Sequence, residues 1–217
     1  MRAMLVCVLN FGLAACGAAS PTPATPATAP TAVAVACEQP PAPLLLAWPV
    51  ADDCTTATLA CRKQCAAHQA EACYQLALHA ERANHLTTAR AFYHQACMGG
   101  HASGCTNYAA YAYRFGNVMA APCIRPFFVA ACDAADSYGC GMAVLVDLRN
   151  AKDAAARQAL ALTAREQCAR IGGFTCDVLA NMLSEAIMPP LDSNEAAAAR
   201  RRACETGAPQ ACGAATP

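Results

Sequence analysis

The stretch Ala96-Cys97-Met98-Gly99-Gly100-His101-Ala102-Ser103-Gly104-Cys105 sets two cysteines eight positions apart around glycines and small polar residues. Three uses compete for such a pair: a metal clip, a redox couple or a structural disulfide. Zinc ligands usually come as C-x2-4-C and thioredoxin-type couples as C-x2-C, so this interval suits neither. A disulfide needs Cα atoms within roughly 4.4–6.8 Å, whereas eight residues of one continuous helix rise about 12 Å. If the pair is bonded, the helix must break and turn back between them. Gly99, Gly100 and Gly104 permit this, because glycine takes the left-handed conformation that ends helices.

The spacing occurs four more times: Cys65 and Cys73 enclose AAHQAEA, Cys132 and Cys140 enclose DAADSYG, Cys168 and Cys176 enclose ARIGGFT, and Cys204 and Cys212 enclose ETGAPQA. The first members are 32, 35, 36 and 36 residues apart, a repeat period that holds two helices and two turns. Ahead of the first cysteine the pattern is amphipathic, as in Thr87–Cys97, where Ala89, Phe92 and Ala96 share a face. Asp192–Cys204 opens with Asp192 three before Glu195, a capping-box arrangement. After the second cysteine come apolar helices, from Cys73, Cys105, Cys140 and Cys176. A small residue precedes that cysteine each time (Ala72, Gly104, Gly139, Thr175, Ala211), which lets helices pack closely. The unit is helix, turn, helix, and the expected fold class is all-α. Closing one such loop is worth about 2–3 kcal/mol in the chain-entropy model. Five of them rival the whole stability of an ordinary domain.

Composition explains why staples are needed. Hydrophobic residues make 56% of the chain, but much of that is alanine; Leu, Ile, Val and Phe together number 36 of 217 residues. A share below about 20% is poor material for a core, and the 16 cysteines are the compensation. Formal net charge is zero, and Lys and Arg cluster only at Arg200-Arg201-Arg202, which is expected to be a solvated helix face. No nucleic-acid footprint is present.

The chain opens MRAMLVCVLNFGLAACG, one positive charge followed by a short apolar run, which reads as a signal peptide over residues 1–15. It resembles the bacterial lipoprotein type: Leu13, Ala14 and Ala15 fill the places before Cys16, which that resemblance makes the lipidated residue. Gly17, where an Asp would favour the inner membrane, points to the outer membrane. Residues 16–51 form a Pro/Ala/Thr-rich spacer, extended and semi-rigid. At its end Leu44-Leu45-Leu46-Ala47-Trp48 either continues the spacer or packs on the folded domain as a cap.

The motif Ala-Cys-x-x-Gly-x-x-x-Gly-Cys, carried by Ala96, Cys97, Gly100, Gly104 and Cys105, resembles the cysteine-rich Sel-like repeat proteins of the Helicobacter cysteine-rich type, a branch of the tetratricopeptide-like solenoids. The resemblance covers about residues 53–214, nearly all of the expected repeat domain at 52–214, and implies a right-handed α-solenoid of helix-turn-helix repeats stapled by disulfides. Cys65–Cys73 and Cys204–Cys212 lack most of the glycines, as terminal capping repeats do.

Cys7 leaves with the signal peptide, so Cys37, Cys54, Cys61 and Cys123 remain. Cys54 and Cys61 lie about 10 Å apart if both are on one helix and should then not bond each other. Cys37 with Cys54 is the favoured pair over Cys37 with Cys61, and Cys123 has no arguable partner.

Catalytic constellations are missing from the sequence. No serine has a Lys three residues on, and there is neither HExxH nor a phosphate-cradling loop. The five histidines (68, 79, 85, 94, 101) have spacings of 11, 6, 9 and 7. None gives the i, i+4 pair that sets two ligands side by side, so no metal and no other cofactor is expected. Tyr108 and Tyr111 share a face with Phe115, either as core or as an aromatic patch lining a ligand groove. The expected function is a lipid-anchored scaffold of the cell envelope, at the outer membrane and facing the periplasm or the cell surface. Its groove would bind a protein or peptide partner, without nucleic acid. The resemblance implies an alternative, since some such relatives bind penicillins and are described as weak β-lactamases, which would make a β-lactam or peptidoglycan fragment the ligand.

Overall fold

The computed structural model describes residues 37–46, 54, 59–114, 121–187 and 190–213; residues 1–15, expected to be a signal peptide, Cys16 and Phe115 lie outside them. Among the described residues the fold is all-helical: α1 Leu59–Ala66, α2 Ala70–Arg82, α3 Leu86–Met98, α4 Ala102–Arg114, α5 Ala121–Asp133, α6 Ser137–Asn150, α7 Ala154–Arg170, α8 Phe174–Ser184, α9 Glu195–Glu205, then the 3-10 turn η1 Pro209–Ala211. Consecutive helices pack on one another, and α4, α6 and α8 also pack side by side. Second helices of successive repeats thus form one layer.

The turn in the opening stretch is a helix terminator that doubles as a helix start. His101 N–H donates to Ala96 O at 3.0 Å and Gly100 N–H to Cys97 O at 2.8 Å, the paired bonds of a Schellman end. Gly100 carries the positive φ of 93° that this end requires. His101 is then immediately the cap of α4: its Nδ1 accepts from Gly104 N–H at 3.2 Å. One residue therefore closes α3 and opens α4. The first cysteine falls in the last turn of one helix and the second in the first turn of the next, with Cα atoms 4.3 Å apart. This is why the interval is eight, and why α2, α4 and α6 begin three residues before their cysteines and not at them. The same paired bonds recur through His68 and Ala135, whose φ values are 62° and 66°, and at Gly207, with φ of 102°, Ala208 N–H donates to Ala203 O at 2.9 Å. The fourth repeat differs, with φ of 81° and 57° at Gly172 and Gly173 and α8 starting one residue later.

Ala135 holds a left-handed conformation that costs a residue with a Cβ about 1–2 kcal/mol. Part of that is offset by the greater freedom of glycine in the unfolded chain. Ala135→Gly is expected to stabilise by about 0.5–1 kcal/mol in denaturant titration; a loss of stability would refute strain at this position.

Small residues before the second cysteine sit where helix backbones nearly touch. A Cβ on Gly104 would lie 2.8 Å from Ala96 Cβ and 3.0 Å from Cys97 N; one on Gly139 would lie 2.8 Å from Ala131 Cβ. Ala72 and Thr175 take the equivalent place fully buried.

Neighbouring repeats are joined by a ladder at these turns. Glu71 in the first turn of α2 accepts from His101 Nε2 at 3.1 Å, and Ser103 in the first turn of α4 donates to Asp136 at 2.7 Å. Asp136 is the cap of α6, accepting from Gly139 N–H at 2.9 Å. The next junction uses Thr175 Oγ1 donating to Ser137 O at 2.9 Å and an edge-on contact of Tyr138 with Phe174.

His101 makes the ladder sensitive to acid. Its Nδ1 must be unprotonated to accept from Gly104, which places the neutral ring's proton on Nε2 toward Glu71. Burial holds the imidazole below the ordinary value of 6.5, against the opposing pull of Glu71 and Asp136. The unfolded chain therefore takes up a proton near pH 6.5 that the folded protein refuses. His101's contribution is full above that pH and is lost as pH falls from about 6.5 toward its depressed folded value. Thermal unfolding scanned from pH 7.5 to 5 should show a falling midpoint, and His101→Gln should flatten that part of the slope; an unchanged slope would remove His101 from the account.

All five Cys-x7-Cys pairs are bonded, and so are Cys54–Cys61 and Cys37–Cys123. The last two correct the sequence expectation. Cys54 lies in a turn outside α1, which begins only at Leu59, so the rise along a helix does not separate it from Cys61; their Cα atoms are 5.0 Å apart. His79 Nε2 holds that turn onto α2 through Cys54 O at 3.2 Å. Cys37 is thereby free to bond Cys123 in α5, 86 residues away. Residues 37–46 pack on the repeats: Leu44 joins the core, and Leu45 exchanges backbone bonds with Gly100 and Ala102 at 2.9 and 3.0 Å. Of the two options for this segment, packing wins as far as Leu46.

Two further details differ. Helix α9 starts at Glu195 with Asn194 before it, so Asp192 is not its cap; Glu195 instead accepts from Leu191 N–H and pairs with Arg165. In the arginine triplet, Arg202 is not merely solvated, since it donates to Cys168 O and Ala169 O and caps the end of α7.

The core lies between the two helix layers. A larger cluster joins Tyr93, Tyr108, Ile124, Phe127, Phe128 and Val146 with buried alanines, and a second joins Val178, Leu179, Met182 and Leu183 with Ala161, Ala164 and Ala203. Seven disulfides are in keeping with an oxidising, extracytoplasmic environment. No helix among the described residues is long and apolar enough to cross a membrane.

Candidate binding groove

Second helices α2, α4 and α6 present two cavities that share Asn107 and Tyr138 in their walls. Their adjacency follows from the repeat: residues one turn past the cap of each second helix emerge on the same side of the layer. Tyr138 in the first turn of α6 is 38% exposed and forms the divide.

The first cavity, about 480 Å3, is rich in hydroxyl and amide groups, with Ser103, Thr106, Asn107, Ser137, Tyr138 and Thr206 around it. Tyr74 forms its aromatic wall, stacked on His101 at 4.2 Å between ring centres. Burial pushes the Tyr74 phenol up, aided by the negative charges of Asp136, Glu71 and Glu81, so it stays a neutral donor. Thr106 is 1% exposed, and its Oγ1 has no partner among the described residues. Ser103 and Asp136 are bonded to each other, with Asp136 also capping α6. Both are used in joining repeats.

The second cavity, about 650 Å3, has an apolar floor of Leu86, Ala110 and Met142 and walls of Tyr111, Tyr113 and Tyr138. Arg114, Arg149 and Glu81, all exposed, also line it. Tyr93 donates to Glu81 at 2.6 Å. Burial and then the bond to Glu81 push the Tyr111 phenol up to about 12. Glu81 is thus already engaged by two phenols. The Arg149 guanidinium lies over the Tyr113 ring, 4.7 Å from its centre.

The aromatic residues expected on one groove face separate here. Both Tyr108 and Tyr111 are buried in the larger core cluster, Tyr108 edge-on to Phe127 at 5.4 Å with Arg90 over its ring, and only Tyr111 also lines the second cavity; Phe115 lies outside the described residues. Tyr74, Asn107, Tyr138, Arg114 and Arg149 were not singled out from sequence. The signal for Asn107 and Tyr138 is faint, a polar or aromatic residue shortly after a cap, and only side-by-side helices make it meaningful.

The histidines are dispersed. His101 caps α4, His94 meets Glu38 at 2.9 Å, and His79 meets a backbone carbonyl. Among the described residues no three His, Cys, Asp or Glu side chains gather as a ligand set. Cys16 lies outside the described residues. No family model matches the chain, and no curated protein matches it.

Proposed function

We propose that this protein is a lipid-anchored scaffold of the bacterial cell envelope, of the cysteine-rich Sel-like type and built as a right-handed solenoid, that binds a peptide or protein segment in the groove along α2, α4 and α6. The observation that carries this reading is the pair of adjoining cavities walled by Tyr74, Asn107, Tyr111 and Tyr138. Tyrosines supply amphipathic contact area at low entropic cost. Asn107, in the wall of both cavities, bonds the Tyr74 phenol and keeps further amide hydrogen-bonding capacity for a peptide backbone. Rigid stapled turns keep the groove preformed, which reduces the ordering cost of binding.

Two synthetic nonapeptide libraries test this, one anchored by its N-termini and one by its C-termini, probed with oxidised protein. Sequences enriched in either library should bind at least tenfold more weakly to Asn107→Ala/Tyr138→Ala, a double variant whose helicity and Tm are checked in parallel. No enriched sequence, or enrichment that ignores the double variant, would overturn the groove reading.

A further inference from the structure

We infer that a third cavity, formed by the first helices, binds a single Cu(I) ion through His68, His94 and Met98. It measures about 440 Å3 and is built from the end of α1, the turn after it and the last part of α3. It shares no lining residue with the two cavities of the groove. Two of the otherwise dispersed histidines meet the exposed Met98 in its lining. His94 and Met98 stand at i, i+4 on α3, the interval that no two histidines of the chain have, so their side chains are neighbours on one face. His68 is brought to them by two contacts that bracket it. Gln95 Oε1 lies 3.1 Å from Cys65 Sγ, and a Cβ on Gly99 would lie 2.9 Å from Ala70 Cβ. The turn between Cys65 and Ala70 is thereby laid against residues 95–99.

Neither His68 nor Met98 is required by the fold. His68 has a φ of 62° in its turn, and the equivalent positions hold Gly100, Ala135 and Gly207, so the turn needs no imidazole. Met98 is 44% exposed, whereas Met142 and Met182 are buried in the core. His94 is already oriented as a ligand. Its Nε2 donates to Glu38 at 2.9 Å, which leaves the lone pair of the neutral ring on Nδ1. A carboxylate behind the imidazole is what metal-ligating histidines generally have. Tyr108 packs against the same ring, 4.7 Å between centres, so the ring is held before any ion arrives.

The donor set selects the ion. Protein zinc is usually four-coordinate with Cys, His, Asp or Glu ligands, and no such set gathers among the described residues. A thioether beside two imidazoles is a soft site and suits Cu(I). The described cysteines are all in disulfides, so the thioether is the soft donor that remains.

The test is an anaerobic titration of the oxidised protein with Cu(I), in competition with a chromogenic Cu(I) chelator. One equivalent should be withdrawn from the chelator. Met98→Leu and His68→Asn should each weaken uptake more than about tenfold, since even removing a residue that merely supports a ligand costs about that much. Both positions are exposed, and Asn tolerates the left-handed conformation, so helicity and Tm should match the unsubstituted protein. Zn(II) should bind at least about tenfold more weakly than Cu(I) and ignore Met98→Leu. In methionine-methyl NMR of the unsubstituted protein, Cu(I) should shift the Met98 signal and leave those of Met142 and Met182 in place. No uptake at one equivalent, uptake undiminished by both substitutions, or a shift at the buried methionines in place of Met98 would each overturn the site. Zn(II) bound as tightly as Cu(I) would overturn the choice of ion.

Discussion

Reduction of all seven disulfides is expected to abolish cooperative thermal unfolding at neutral pH, with most helical circular dichroism lost before heating. The reason is the composition of the core. Buried positions are dominated by alanine and by the cystines themselves, and the larger side chains gather in limited clusters. A buried methyl contributes little compared with Leu or Phe. Each eight-residue loop restricts the unfolded chain by about 2–3 kcal/mol, so the staples together exceed the net stability of most domains. Paired Cys→Ala replacements should be graded. Cys37/Cys123 should cost most, about 4 kcal/mol, because it closes the longest loop and also releases the Leu45 bonds to Gly100 and Ala102. Cys204/Cys212 should be tolerated best, since it ties only the terminal η1 to α9. A reduced protein whose transition stays within a few degrees of the oxidised one would refute this account.

Phe127→Ala is expected to lower stability by about 3–5 kcal/mol, the usual range for emptying a fully buried phenylalanine site. Phe127 is fully buried in α5, edge-on to Tyr108 of α4, and so joins the second repeat to the third. Collapse around the void is hindered on two sides. The α5–α6 turn is pinned by Cys132–Cys140, and the start of α5 by Cys37–Cys123. For a domain of this size the change corresponds to a fall in Tm on the order of 10 °C. Leu162→Ala, at a position 57% exposed, is the control and should stay within about 0.5 kcal/mol. A Phe127→Ala variant as stable as the Leu162 control would show that the inter-repeat core carries little of the stability.

How much of this was legible in the chain differs by feature. The repeat, its two helices and the hairpin at each cysteine pair follow from residues within eight positions of one another. So does the need for small residues at Gly104 and Gly139. The second helix starts three residues ahead of its cysteine because the cap falls on His101 and Asp136, one of them not an ordinary capping residue, and the Schellman end hands over to it without a linker. The pairing of Cys37, Cys54, Cys61 and Cys123 departs from the sequence expectation because α1 begins only at Leu59 and leaves Cys54 in a turn.

The groove was the least legible part. Tyr108 and Tyr111 are three apart on α4 and both are buried in the same core cluster, yet only Tyr111 also lines the second cavity. Helical periodicity assigns residues to a stripe, but the edge between core and groove depends on the angle at which α6 lies beside α4. What the sequence by itself determined is the stapled hairpin, because its geometry is set by backbone conformation and hydrogen bonds among near neighbours. The tertiary structure alone decided the Cys37–Cys123 bond and the meeting of Asn107, Tyr138 and the two arginines. Those depend on small rotations between successive repeats, which sum over distances that no local pattern records.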